Sequence, residues 1–591
     1  MSLQKTIQPG PSAQAASQAA SLQALLNGFL REVLPDNATL TSGTDAVEIP
    51  LSHIPARLRV AVAYYSRTGP HHFGAAQIRF AGRSAWQAAA PVQVMTLIAQ
   101  ECFAHLNERD PGKLPEFLRG VFNSNAEIEK ILRRNAGTPD PDCFLAAEQA
   151  LAYGHWLHPT PKSRDGLSDW QQAAYAPEYA GRFPLTFFAA DKSIVSQDAA
   201  HGTAADMAHQ IPGIAGAFQL PTHEALIPAH PLQAQMLRLD PAVQALLASG
   251  KLRDLGTAGG DFAATSSVRT VYAPDCPWML KFSIPVRLTN SLRVTLRNEL
   301  DVGVSMARLL HRLEFSKLSP RFRIIDDPAY LTLDLPGRRE SGFEVIFRDN
   351  PFMGTAGKGI YNLAALTADP LPGRNALLTT LINRLAAARG QSPAETARLW
   401  FEAYLDCMLD PVLELYDRHG IALEAHQQNS LLDLGTGLPS RGYYRDNQGY
   451  FITRDAFPRL SALEPPLAGQ TALVYPRGHI NQRLAYYLVV NQIFAVIRRL
   501  GCDGLTSEPA LLLQLRGRLI AAASRFTGAA AEFARYLLTA PSLAAKANLL
   551  TRVHNVDELE TTAQEGMFLQ MPNPIAAAQP QPLQERADVP A

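Results

Sequence analysis

The stretch Leu280-Lys281-Phe282-Ser283-Ile284-Pro285-Val286-Arg287-Leu288 is where the reading of the fold turns. Leu280, Phe282, Ile284, Val286 and Leu288 fall on one face, and Lys281, Ser283, Pro285 and Arg287 on the other. That period of two predicts a half-buried strand over 280–288. Thr289 or Asn290 can then cap a helix running through Leu292, Leu296, Leu300 and Val304. Arg293 falls in the first turn of that helix, where a cation opposes the helix dipole at a cost of about a few tenths of a kcal/mol. An anion at the helix N-terminus gives a reason for the placement, and a solvated arginine is the alternative.

Working outward, residues 151–365 carry further β-like runs at 185–188, 268–272 and 342–347, punctuated by prolines and histidines. The preceding part, 21–150, shows apolar residues at helical spacing, as in Leu22, Leu25, Leu26 and Phe29, and is expected to be helical. The following part, 366–572, is expected to be mostly helical. Ser392-Pro393-Ala394-Glu395 is a capping box with proline in the first turn. Its helix passes Trp400 and Tyr404 towards Pro411, and a second helix over 412–419 stops at Gly420. Another begins at Thr506 or Ser507 and runs to Ala523. The sum is an α+β protein in three parts. Residues 1–20 and 573–591, rich in Gln, Ala and Pro, read as disordered tails.

Bulk properties narrow the function. The chain has 591 residues, enough for about three or four folding units. Lys plus Arg and Asp plus Glu both number 54, so the basic excess usual in a nucleic-acid binder is missing. Five cysteines without a CxxC pair suit reduced thiols in a cytoplasmic protein. No apolar run reaches the ~18 residues of a membrane span, and no signal peptide is evident. The expectation is a cytoplasmic protein that binds neither nucleic acid nor membrane.

Four clusters can carry chemistry. In residues 154–166, His155, His158, Lys162 and Arg164 sit on a proline-broken loop. It reads either as an anion site or as a solvated basic loop with a structural histidine. In Thr265-Ser266-Ser267-Val268-Arg269-Thr270, hydroxyls beside an arginine suit phosphate oxygens, although such turns are common. Lys281 and Arg293 form the third. The fourth is Glu424-Ala425-His426-Gln427-Gln428-Asn429, followed by Arg445-Asp446-x-x-Gly449. Protein kinases place a polar loop, a metal-binding Asn and a metal-binding Asp in that order. Asn429, Asp446 and Glu424 suffice for Mg²⁺ when phosphates and waters complete the shell. Pro228-Ala229-His230-Pro231 holds a further rigid histidine, which reads as a substrate contact or as a structural hydrogen bond. Walker, nucleophile-elbow and dinucleotide motifs are missing.

In this order, with Pro228-x-His230-Pro231-x-Gln233 between the first two, the clusters resemble the NRPS-independent siderophore synthetases of the aerobactin-synthetase (IucA/IucC) type, over roughly 150–565. Two positions depart from the family pattern: Trp156 stands where a proline is usual, and Leu232 where a tryptophan is usual. The resemblance implies a cupped-hand fold with a helical thumb, mixed α/β fingers with antiparallel sheet, and a mostly helical palm. It implies ATP and Mg²⁺ as cofactors and a carboxylic acid, citrate or a derivative favoured, activated as an acyl-adenylate. An amine or alcohol would then take the acyl group. It implies that Ser267, Arg269, Thr270 and Lys281 hold ATP, with His155 or His158 nearby and Gln428 in support. Thr289, Arg293 and His426 would face the acid and the α-phosphate, joined by Lys162 and Arg164. Glu424, Asn429 and Asp446 would hold Mg²⁺. A homodimer is consistent with the family. Two rivals stand beside this reading. A kinase-like phosphotransferase would release ADP. A redox protein like the ferric-siderophore reductases would need several C-terminal cysteines, and only Cys502 follows Cys407.

Overall fold

Arg57-Leu58-Arg59-Val60 alternates charged and apolar residues, and the chain there forms a strand whose Leu58 and Val60 are fully buried. The structure, a computed structural model, describes residues 12–34, 43, 45–106, 108, 110–288, 291–446, 448–556 and 568–578. Helix α1 (Ala13–Glu32) is capped by the Ser12 hydroxyl. Four antiparallel strands follow in sequential order: β1 (Ala46–Leu51), β2 (Ala56–Tyr64), β3 (His72–Phe80) and β4 (Gln87–Ala89). Helices α2 (Pro91–His105), α3 (Lys113–Arg134) and α4 (Phe144–Gln149) complete this part. The helical expectation for 21–150 is therefore corrected. Leu58, Val60 and Ile78 pack on Leu25, Phe29 and Ile98 as one core. The tail expected over 1–20 is corrected from Ala13 onward, because α1 starts there and buries Leu22 and Leu25; residues 1–11 lie outside the described residues. The chain returns here near its end. Leu549 and Val553 join this core, and Glu32 accepts from the Leu549 and Leu550 amides at 2.8 and 3.0 Å.

The middle part is built on an eight-stranded antiparallel sheet. Its order is Val195–Ala199, Ala329–Leu333, Val345–Asp349, Trp278–Phe282, Thr270–Tyr272, Leu252–Ala264, Phe183–Asp191, Glu224–Ala229. The expected strand over 280–288 ends at Phe282. Pro285 offers no N–H to a ladder, and the chain peels away. Arg287–Leu288 then pairs with Arg164–Asp165 and Ser291–Leu292 in a separate three-stranded sheet. Gly166 sits where a Cβ would meet the Pro285 carbonyl at 2.6 Å, so this crossing needs glycine. The helix expected from Thr289 or Asn290 starts at Arg297 and runs to Arg312. Leu292 belongs to a strand, and Arg293 precedes the helix. Arg293 therefore bears no first-turn dipole cost, which corrects that expectation.

In the C-terminal part the capping box Ser392–Glu395 is present, but the helix Pro393–His419 continues through Pro411 to a left-handed Gly420. Pro411 leaves the Cys407 carbonyl without its helical donor. The Gly442 backbone packs against that carbonyl, where a Cβ would come within 2.4 Å. The helix Glu508–Arg525 is capped by Ser507 as expected. Another four-stranded sheet, ordered Phe322–Ile325, Arg441–Arg445, Ser430–Asp433, Ile360–Asn362, adjoins the Glu424–Asn429 loop and Asp446. The tail expected from 573 is corrected over 573–578, and residues 579–591 lie outside the described residues. Asn573 caps a short helix, Pro574–Ala577, whose Ile575 is fully buried. Among the described residues, no helix is long and apolar enough to cross a membrane.

Candidate active site

The site forms where the central strand of the large sheet meets the loops of the four-stranded sheet. On the large-sheet side, Thr265–Thr270 is a tight turn. The Thr265 amide and hydroxyl both donate to the Thr270 carbonyl at 2.9 Å, and the Thr270 amide donates to Ser267 Oγ at 3.1 Å. Val268, at the turn's apex, is left-handed with φ 66°, an uncommon state for a β-branched residue, costing about 1–3 kcal/mol. Its buried side chain in the core holds that strain in place.

This turn presents Arg269, which is buried and donates to Thr295 Oγ1 at 3.2 Å. Opposite Thr270 in the ladder lies Lys281, also buried, with Nζ 3.9 Å from Asp446 Oδ1. Burial pushes the Lys281 ammonium down to about 8, with Arg269 adding to the effect. Burial likewise lowers Arg269. Burial raises the Glu299 carboxyl against the pull of Arg269 and Lys281. Two cations held in a low-dielectric wall suit an anion, because a bound phosphate or carboxylate would offset the desolvation.

On the other side, Glu424 to Asn429 is a compact loop. Asn429 Nδ2 donates to Asp446 Oδ2 at 3.1 Å and to the Glu424 carbonyl at 3.2 Å, which leaves its Oδ1 as the acceptor. His426 Nδ1 accepts from the Gln428 amide at 3.3 Å, and its Nε2 lies 3.9 Å from Glu424 Oε1. Burial pushes this imidazole down to about 4, so it is neutral at neutral pH. Gly449 closes the cradle, since a Cβ there would meet Asp446 Oδ2, Glu424 Cβ and Tyr444 Oη at 2.7 Å each. Among the described residues, no group of three or more His, Cys, Asp or Glu side chains could hold a metal alone. The donor set does fit a hard divalent cation whose shell phosphates and waters complete, because Asp446 and Asn429 both offer oxygens.

The residues expected at 154–166 behave differently. His155 and His158 each accept a backbone N–H at Nδ1, from Leu157 at 3.3 Å and Thr160 at 3.1 Å. Burial, then His158 and His426, holds His155 at about 3. Lys162 and Arg164, expected to face the acid, have another partner. Both are buried against Glu178, Lys162 in a close contact and Arg164 at 2.7 and 2.9 Å. They anchor the loop internally. Burial pushes the Glu178 carboxyl up, but Arg164 and Lys162 outweigh it and hold it at about 2. A depressed carboxyl stabilises the fold above its unfolded value and loses that contribution as pH falls through the folded one. Glu178→Gln is therefore expected to destabilise by about 3–5 kcal/mol near pH 7. The gap from wild type should shrink between about pH 4.5 and pH 2, read by denaturant unfolding.

Arg293 lies in the connection before its helix, with Nη2 3.3 Å from the Leu288 carbonyl. Thr289 lies outside the described residues. His230 is wholly buried, with Nδ1 accepting from the Leu232 amide at 3.1 Å amid Tyr175, Phe183 and Phe282. Its role is structural. The structure thus unites Arg269, Lys281, Glu424, His426, Gln428, Asn429 and Asp446. It adds Thr295, Glu299 and the buried pair Arg348–Asp327, at 2.6 and 2.9 Å. None of these four stands in a local pattern that marks it.

The chain is similar to known proteins along most of its length. The IucA / IucC family matches residues 143–368, and the ferric iron reductase FhuF-like transporter family matches residues 398–561. The chain is 35% identical to a spermidine-citrate ligase of Bacillus anthracis, covering 87% of this chain and 88% of that one. It is 34% identical to the rhizobactin siderophore biosynthesis protein RhbC of Rhizobium meliloti (strain 1021), covering 94% and 97%. The structure of ATP-bound aerobactin synthetase IucA of Klebsiella pneumoniae superposes with a TM-score of 0.87 at 27% identity, covering 94% and 99%. These relatives make the chain a ligase of siderophore biosynthesis. The chain belongs to the IucA/IucC family. The kinase-like alternative gains no support, since these relatives are named for ligation and siderophore synthesis. Within the FhuF-like stretch the chain has only Cys407 and Cys502, too few for a four-cysteine cluster.

Proposed function

We propose that the protein adenylates a carboxyl group of citrate or a citrate derivative with ATP and Mg²⁺, and passes the acyl group to an amine or alcohol. One observation carries the reading. Two buried cations, Arg269 and Lys281, face the Asn429–Asp446 pair, with Lys281 Nζ 3.9 Å from Asp446 Oδ1. That is a cradle for a polyphosphate with its divalent ion. The relatives' names supply the substrate class: one is a spermidine-citrate ligase, and another, in Escherichia coli, is an N(2)-citryl-N(6)-acetyl-N(6)-hydroxylysine synthase.

In the first step a carboxylate oxygen attacks the α-phosphorus, a P–O bond forms, and pyrophosphate leaves. In the second, the nucleophile's nitrogen or oxygen attacks the acyl carbon, AMP leaves, and the nucleophile loses a proton. Ser267, Arg269, Thr270 and Lys281 hold phosphates, with His155 or His158 nearby. Arg293 and His426 face the acid and the α-phosphate, and the family resemblance assigns the same role to Thr289, which lies outside the described residues. Asp446, Asn429 and Glu424 would hold Mg²⁺, which would supply positive charge against the phosphates. Gln428 supports the loop. Since His426 is neutral, it serves as a hydrogen-bonding partner to the acid. Positioning and charge stabilisation provide the catalysis.

The test is citrate-stimulated exchange of pyrophosphate into ATP. Wild-type protein should exchange, and His426→Ala should lose about 10²-fold while keeping its melting temperature. Full exchange in folded His426→Ala would remove that residue from the site.

A further inference from the structure

Glu148 is wholly buried on α4, and its hydrogen bonds go to Ser266, Arg445 and Asn362. Its Oε2 accepts from the Ser266 amide at 2.9 Å and the Ser266 hydroxyl at 2.8 Å. Both its oxygens take Arg445 Nη2, at 2.8 and 2.9 Å, and its Oε1 takes Asn362 Nδ2 at 2.7 Å. Arg445 in turn donates to Ser266 Oγ at 3.3 Å and to the Gln428 carbonyl at 3.0 Å. Gln428 Nε2 reaches Ser266 Oγ at 3.4 Å. Phe144, one turn earlier on α4, packs its ring 5.9 Å from the same guanidinium.

Three segments distant in sequence meet on this one carboxylate. It binds Ser266 and Arg445 directly, and those two in turn hold Gln428. Each immediately precedes a site residue: Ser267, Asn429 and Asp446. The backbone joins the set, since the Arg445 amide donates to the Asn429 carbonyl at 3.0 Å. Asn362, also wholly buried, fixes the fourth side, with its Oδ1 accepting from the Ala365 amide at 2.7 Å. A charge-assisted network with its members mutually satisfied is stiff and holds its geometry.

We propose that Glu148 is a positioning residue for ATP·Mg²⁺, fixing the phosphate turn and the metal loop at their working separation. The inference rests on the adenylation reading above. It deepens that reading by assigning the alignment of the nucleotide half-sites to a residue that contacts neither nucleotide nor acid.

The experiment compares wild type, Glu148→Gln and Ser266→Ala in kinetics and in melting, with and without ATP·Mg²⁺. Glu148→Gln keeps the shape but leaves the buried Arg445 without its counter-charge, so its fold is at risk. Ser266→Ala orphans no charge and keeps its fold. In Glu148→Gln, KM for ATP should rise about tenfold or more, and KM for citrate should stay within about twofold. In Ser266→Ala, KM for ATP should rise about three- to tenfold. The ligand-free melting temperature of Ser266→Ala should match wild type, and its ATP·Mg²⁺-induced rise should shrink. Should Glu148→Gln fail to fold, Ser266→Ala decides. A folded Ser266→Ala with wild-type KM for ATP and a wild-type ATP·Mg²⁺ shift, in a wild type that responds to ATP·Mg²⁺, overturns this inference alone. A wild type that ATP·Mg²⁺ does not stabilise overturns the adenylation reading and this inference with it.

Discussion

Lys281→Ala is expected to lower kcat/KM for ATP by about 10²–10³-fold, the effect of removing one preorganised charge from a phosphate site. Lys281 Nζ lies 3.9 Å from Asp446 in a wall that already depresses the ammonium to about 8. The folded protein therefore bears a cost to keep that charge buried. Removing the ammonium relieves the cost, so the ligand-free variant should melt at or above the wild-type temperature. Loss of ATP use together with retained stability separates a binding role from a structural one. A variant that kept its ATP kinetics would show that Lys281 serves the fold alone.

Gly449→Ala is the second large effect. A Cβ there would lie 2.7 Å from Asp446 Oδ2, from Glu424 Cβ and from Tyr444 Oη. The Gly449 carbonyl also accepts from the Glu424 amide at 2.7 Å and from Tyr444 Oη at 2.8 Å, so the backbone is tied on both sides. Relief has to move Asp446 or Glu424. A displacement of about 1 Å at a reacting centre costs about 10²-fold in rate. The variant should lose at least that in acid-dependent turnover, with an overpacking penalty of about 1–3 kcal/mol. Its Mg²⁺ requirement should also rise, read from rate against Mg²⁺ concentration. An unchanged Mg²⁺ profile in the folded variant would detach Asp446 and Glu424 from the metal.

The site is legible where local pattern carries chemistry. Lys281 stands out from strand alternation, and the order Glu424, His426, Asn429, Asp446 stands out as a polar loop leading into a strand. The helix expected from Thr289 starts late because Pro285 ends the ladder early, so Leu292, helical by its spacing, pairs as a strand. Pro411 reads as a helix stop, yet tertiary packing keeps the helix going through it. The sheet over 46–89 has its signal in Arg57-Leu58-Arg59-Val60, a run too short to outweigh the helical spacing around it. Lys162 and Arg164 look free in sequence because their partner, Glu178, lies outside the loop. Glu148 has no signal. Its meaning depends on Ser266, Asn362 and Arg445, between 118 and 297 residues away.

The most direct test is the nucleotide product formed with ATP, Mg²⁺ and citrate, using hydroxylamine as a general nucleophile. Adenylation predicts AMP and pyrophosphate in step with a citryl hydroxamate. ADP and phosphate as the products would contradict it.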